Sequence, residues 1–137
     1  NIILLGSANL YRAAIPHMKK NNSGLIINFL TEAITTFPPR MSSYVSAKCA
    51  LFGLLNCITS ELKNTNIKII NISPFFVDSN LIKAYPPKLI ELEKMKLPEK
   101  RFLKPADIAD YVIRIIREPQ KYESGSNIIL HSVEDIR

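Results

Sequence analysis

The chain has 137 residues, 47% of them hydrophobic and 22% charged, a size and balance that suit one folded domain and exclude a disordered chain. The formal net charge is +6, but no zinc spacing, Gly-rich RNA motif or aromatic interleaving accompanies the basic clusters, so nucleic acid is not the expected partner. No stretch approaches the ~18 consecutive apolar residues of a membrane span, and no basic segment precedes the apolar opening NIILLGSANLYR, so neither a span nor a secretory signal is expected.

Leu4, Leu5, Ala8, Tyr11, Ile15 and Met18 recur at helical spacing and predict a helix to about Lys20, kinked where Pro16 falls in its last turn. The turn-forming NNSG ends it. LIINFL (Leu25 to Leu30) is a short continuous apolar run, the pattern of a strand buried on both faces. TEAITTFPPRMSS follows as a loop in which Pro38 and Pro39 oppose a regular helix, and Ser42 or Ser43 can cap the next one. That helix runs from about Tyr44 to Lys63, with Ala47, Leu51, Leu54, Leu55, Ile58 and Leu62 on its buried side. IKIINISPFF is a second buried strand, stopped by Pro74. From Val77 to Lys104, Pro86, Pro87 and Pro98 punctuate a long segment in which short helices are expected, for example Pro87 to Met95. A segment of this kind laid over a scaffold is often a lid or binding loop. KPADIADYVIRIIRE is an amphipathic helix with Pro105 in its first turn and Ile108, Tyr111, Val112, Ile115 and Ile116 as its stripe. SGSNIILHS supplies a turn and a third strand. The order α-β-α-β-lid-α-β implies an α/β fold, a parallel sheet with helices on both faces, as one domain over residues 1–137 with the lid at 77–104.

Basic residues gather at Lys19-Lys20 and in KMKLPEKRFLK, Lys94 to Lys104. They read first as solvated surface, and second as a docking patch for an acidic partner. Cys49 and Cys57 sit eight residues apart on one expected helix, about 12 Å, too far for a disulfide within it. Neither has a CxxC partner, so both read as reduced, partly buried thiols of a cytoplasmic protein. His17 and His131 stand isolated in sequence, so neither a His-based site nor a metal site is expected.

In a parallel sheet, functional groups collect beyond the carboxyl ends of the strands. Those ends are Leu30-Thr31 and Ser73-Pro74, and SSYVSAKCALFGL starts the helix leading away from the first. Tyr44 and Lys48 are four apart and share a helical face. Thr31, Tyr44, Lys48 and the Pro74 loop are therefore expected on one rim.

With these residues in register, the sequence resembles the short-chain dehydrogenase/reductase family. YVSAK matches the family's Tyr-x-x-x-Lys, and IINFLT matches its strand of the type IVNISS. Thr31, thirteen residues before Tyr44, takes the place of the family's Ser. Pro74, thirty residues after Tyr44, matches the Pro of its PG step, and SPFFVDS its following VxT step. The resemblance covers essentially the whole chain, as the carboxyl-terminal part of a Rossmann-type doubly wound parallel sheet. The family's Gly-rich TGxxxGxG turn and NNAG strand end are absent from these residues.

The resemblance implies hydride transfer between NAD or NADP and a ketone or secondary alcohol. Tyr44, Lys48 and Thr31 are the implied catalytic residues. A free phenol titrates near ~10, and an ammonium beside it favours the charged form, which is the implied purpose of Lys48. Tyr44, Lys48, Pro74, Val77 and Ser79 are the implied cofactor contacts, and Thr31, Ala33, Tyr44 and Phe76 the substrate contacts. The apolar lid residues Leu81, Ile82, Tyr85, Leu89, Ile90 and Leu92 imply a hydrophobic or acyl-like substrate. The resemblance also implies a homodimer or homotetramer packed through the helices around Leu4–Met18 and Tyr44–Lys63.

Three positions depart from the family. Thr31 keeps the hydroxyl but adds a β-branch. Phe75 replaces a Gly that lets the backbone lie close to the cofactor, so its ring must point away or alter the nicotinamide pocket. Ile3 falls where the family carries its catalytic Asn, with Asn1 two residues off. The alternative to an active enzyme is therefore a catalytically impaired relative or fragment acting as a binding or dimerisation module.

Overall fold

The computed structural model describes residues 2–136; Asn1 lies outside the described residues. Helix α1 spans Ile2–Lys20 and continues through Pro16, and strand β1 spans Gly24–Phe29. A four-residue helix, α2 (Ala33–Thr36), leads to α3 (Ser42–Glu61) and then β2 (Ile67–Pro74). A 3-10 turn at Asn80–Ala84 and helix α4 (Pro87–Met95) fill the lid segment. Helix α5 (Pro105–Arg117) and strand β3 (Asn127–Leu130) follow. No helix among the described residues is long and apolar enough to cross a membrane.

The three strands form one parallel sheet in the order β1-β2-β3. Gly24 pairs with Ile67 and Phe29 with Ile72; Asn71 pairs with Asn127 and Pro74 with Leu130. The pleat sends alternate residues to opposite faces. Ile67, Ile69 and Leu30 meet Tyr11 of α1 and Leu51 and Leu55 of α3 on one side. Ile70, Ile72 and Leu130 meet Ile108 and Ile115 of α5 on the other. Both faces being covered explains the continuous apolar reading of the strands. Each fully buried Leu or Ile contributes about 1.5–3 kcal/mol relative to exposure. The crossovers through α3 and α5 step in one direction along the sheet but cover opposite faces, so they have opposite hands.

Within the apolar face under α1 runs a polar row. Asn28 and Asn71 are register partners, and Asn28 Nδ2 donates to Asn71 Oδ1 at 3.2 Å. The Tyr11 hydroxyl donates to Asn28 Oδ1. Two residues further along β2, Ser73 Oγ lies 2.6 Å from Asn127 Oδ1 on β3 and donates to it.

Several local expectations are corrected. The stretch after Thr31 contains α2, because the helix ends before Pro38, at Phe37 in the left-handed region (φ 48°). Neither Ser42 nor Ser43 caps α3: the cap position is Met41, and no side chain bonds there. Ile116 is 56% exposed, because the stripe of α5 narrows to Ile108 and Ile115 at full burial. Cys57 is exposed, whereas Cys49 is half-buried, since they lie on different faces of α3.

Candidate functional site

The three strands end at one rim, and backbone bonds tie those ends together. Leu30 N–H donates to Ile72 O (2.7 Å), Glu32 N–H to Pro74 O (3.1 Å), and Phe75 N–H to Leu130 O (2.9 Å). Beyond the ends of β1 and β2 opens a cleft of about 420 Å³, lined among others by Thr31, Tyr44, Pro74, Phe75, Phe76, Val77 and Ser79. Its size lies in the usual range of small-molecule sites.

Tyr44 sits in the first turn of α3, half-buried and facing this cleft. Lys48 lies one turn further, its Nζ 5.9 Å from the centroid of the Tyr44 ring. Lys48 does not line the cleft. Its ammonium reaches back to the end of β1 and donates to Phe29 O at 2.7 Å. Burial holds that ammonium below the ordinary lysine pKa. Thr31 Oγ1 accepts the Ala33 N–H at 3.3 Å, which starts α2 and leaves the hydroxyl proton free to donate. Ser79 stands before the 3-10 turn at Asn80, and its side chain makes no cap bond.

The geometry thus gathers Thr31, Tyr44, Pro74, Phe76, Val77 and Ser79. Ala33 is not among the cleft residues; it starts α2, and its N–H serves Thr31. Of the apolar lid residues, Leu81, Ile82 and Tyr85 line the cleft, and Leu89, Ile90 and Leu92 do not. Leu89 and Leu92 are exposed on α4, and Ile90 packs against the small cluster of Ile82, Leu97 and Phe102. The lid is stapled at its base by a parallel bridge between Val77 and Leu103 and by Asp78 N–H donating to Leu103 O at 2.8 Å. Arg40, Met41 and Ser43 also line the cleft. Proximity to Tyr44 was their only signal in the sequence, and the loop's left-handed turns at Phe37 and Arg40 bring them round.

His131 is not isolated. It follows β3, its Nδ1 lies 2.8 Å from Glu32 Oε2, and its ring stacks on Phe75. Ile3 sits half-buried against the α1 core.

The residues present fit one end of a dinucleotide. Lys48 uses one donor on Phe29 O and keeps two behind Tyr44, while Tyr44 and Ser79 line the cleft itself. They do not supply the phosphate end: Gly6 and Gly53 lie on helices, Gly24 opens β1 and Gly125 forms a turn, so no Gly-rich cradle is built from them.

Comparison with known proteins bears on the family and the fold. The family described as short chain dehydrogenase matches residues 1–89. The chain is 25% identical over 128 residues to the 3-oxoacyl-(acyl-carrier-protein) reductase FabG of Thermotoga maritima, covering 93% of this chain and 52% of that protein. It is 30% identical over 125 residues to the enzyme of the same name from Staphylococcus aureus, covering 91% and 51%. It thus spans about half the length of the curated relatives it matches. Among solved structures, a 4-hydroxyisoleucine dehydrogenase mutant complexed with NADH and succinate shares the fold, with TM-score 0.84 and 23% identity over 95% of this chain and 55% of that one. A 3-oxoacyl-(acyl-carrier protein) reductase from Brucella melitensis does so too, with TM-score 0.84 and 22% identity over 94% and 48%. The fold is therefore the Rossmann-type α/β fold of these proteins, and the chain belongs to the short-chain dehydrogenase/reductase family.

Proposed function

We propose that this chain is a single domain forming the carboxyl-terminal part of an NAD(P)(H)-dependent oxidoreductase, with 77–104 as its substrate lid. The reaction is hydride transfer between a nicotinamide and a ketone or secondary alcohol. The observation that carries the reading is the meeting of Thr31, Tyr44, Pro74 and Ser79 in one cleft, with the Lys48 ammonium one helical turn behind Tyr44.

A bound nicotinamide would supply or accept the hydride. Tyr44 gives a proton to the substrate oxygen in the reductive direction and takes it back in the other. The Lys48 ammonium, 5.9 Å from the centroid of the Tyr44 ring, and the N-terminal turn of α3 place positive charge beside the phenol. The free Thr31 proton bonds the substrate oxygen and stabilises its developing charge. Lys48 and Ser79 would hold the ribose and carboxamide side of a dinucleotide, Pro74 and Val77 would line that side, and Phe76 would line the substrate side. Leu81, Ile82 and Tyr85 make the substrate end apolar, which suits a hydrophobic or acyl-like chain. Relatives named as 3-oxoacyl-carrier reductases support the acyl-like class. The protein is read as cytoplasmic, and as a homodimer or homotetramer joined through α1 and α3, where Leu5 and Leu10 are 61% and 70% exposed.

The test is consumption of NADH or NADPH by the complete protein with a panel of 3-oxo esters and hydrophobic ketones, with light scattering for the assembly. Turnover is expected with at least one dinucleotide. Saturable dinucleotide binding without turnover on any carbonyl would favour an impaired relative that binds or dimerises, the outcome that Ile3 at the family's Asn position would explain.

A further inference from the structure

Phe75 stands where the family carries a Gly, so the site must place a ring that a Gly would not bring. Its backbone is fixed beside β3, with the N–H on Leu130 O at 2.9 Å. Its ring stacks on the His131 imidazole, with centroids 4.5 Å apart and planes 16° from parallel. Phe76 and Phe102 meet it edge-on at 4.8 Å and 6.3 Å, which closes the remaining sides.

His131 is itself held at its ring and at its backbone. Its Nδ1 lies 2.8 Å from Glu32 Oε2, and because a carboxylate only accepts, Nδ1 carries the proton in this contact. Its backbone N–H donates to Asp135 Oδ2 at 2.8 Å. Glu32 is anchored in turn: its N–H is on Pro74 O, and its side chain is only 12% exposed. The ends of all three strands therefore meet around one stack, which holds the Phe75 ring against His131 at the end of β3 while Phe75 also lines the cleft.

We propose that Glu32 and His131 are a positioning pair that parks the Phe75 ring against the end of β3, and that this parking keeps the dinucleotide side of the cleft open. The proposal rests on the hydride-transfer reading for its ligand. Glu32 and His131 touch neither substrate nor cofactor; they act through Phe75.

The experiment uses the complete protein, with NADH and NADPH titrated by fluorescence, steady-state kinetics, and crystal structures of the wild type and His131→Ala. His131→Ala and Glu32→Ala are expected to raise the dinucleotide Kd roughly 3- to 10-fold, the size a lost aromatic stack allows. The rate at saturation stays within about twofold, since the Tyr44 and Thr31 contacts are untouched. Glu32→Gln keeps an acceptor for Nδ1–H and is expected to bind as the wild type does. His131→Ala with Phe75→Gly removes the ring that would swing inward and is expected to restore the wild-type Kd. A Kd unchanged in both alanine variants, or weak binding that persists in the double variant, overturns the proposal. Glu32→Ala carries the test should His131→Ala fail to fold. If the wild type binds neither dinucleotide, the hydride-transfer reading has failed, and the crystal structures then decide the positioning claim: a Phe75 ring left in place without His131 overturns it.

Discussion

Tyr11→Phe deletes one hydroxyl from a helix that contributes no residue to the cleft. Tyr11, Asn28 and Asn71 are 8%, 6% and 1% exposed. The deletion removes the donor to Asn28 Oδ1, whose amide group already spends its Nδ2 on Asn71 Oδ1. No spare donor is at hand, because Asn71 Nδ2 points elsewhere and is itself without a partner. A buried acceptor left unpaired costs about 1–3 kcal/mol. In a domain of this size that corresponds to a drop in Tm of roughly 3–10 °C. Thermal and urea unfolding of the two proteins measure it, with Tyr44→Phe as the internal comparison. Tyr44 is half-buried at the cleft, so the same chemical deletion there is expected to cost less than about 0.5 kcal/mol. If Tyr11→Phe cost no more than Tyr44→Phe, the row would be solvated and the reasoning about a dry polar seam would be refuted.

Removing the Lys48 ammonium tests the burial of that group. Its folded pKa lies below the unfolded one, so between those values the unfolded chain binds more protons and stability rises with pH; below the folded value the burial penalty is fully present. Lys48→Met is therefore expected to be more stable than wild type at pH 7, by a margin that shrinks as pH approaches 10.5; a margin constant with pH would contradict this. Gly24→Ala builds a Cβ 2.5 Å from Met18 Sδ and 2.9 Å from Met18 Cβ, at the joint of α1 and β1. It should lower stability by about 1–3 kcal/mol in urea unfolding, and Met18→Ala in the same chain should recover part of that loss. Thr31→Val keeps the shape of the strand end and loses the hydroxyl; the rate at saturation should fall about 10²- to 10³-fold. Thr31→Ser should stay within several-fold of wild type in the same assay, since it keeps the donor.

What could be read from the chain alone was what rests on local periodicity. The apolar runs of β1 and β2, the α4 helix at Pro87–Met95 and the Pro105 start of α5 all follow from neighbours in sequence. The sheet order then brings the ends of β1 and β2 together, which is why Thr31 and Pro74 were legible as one rim. The α2 turn was missed because its trigger is a side-chain contact, Thr31 Oγ1 on the Ala33 N–H, inside a stretch dominated by prolines. Lys48 was assigned to the rim by helical spacing, but its chain runs back to Phe29 O, a partner nineteen residues away that no helical pattern shows. His131 was the largest omission. Its partner Glu32 is ninety-nine residues distant and its stack on Phe75 spans two strands, so only the folded sheet reveals it.

The central claim is that Tyr44 moves the proton in a hydride-transfer reaction. It is tested most directly by comparing wild type and Tyr44→Phe in the complete protein, measuring dinucleotide Kd and turnover on the best carbonyl substrate side by side. Loss of a positioned acid–base group lowers the rate about 10²- to 10⁴-fold. The account predicts a fall of that size with Kd within about twofold of wild type, because Lys48 and Ser79, the residues proposed to hold the dinucleotide, are unchanged. Turnover within a few-fold of wild type in a variant that still binds the dinucleotide would contradict it.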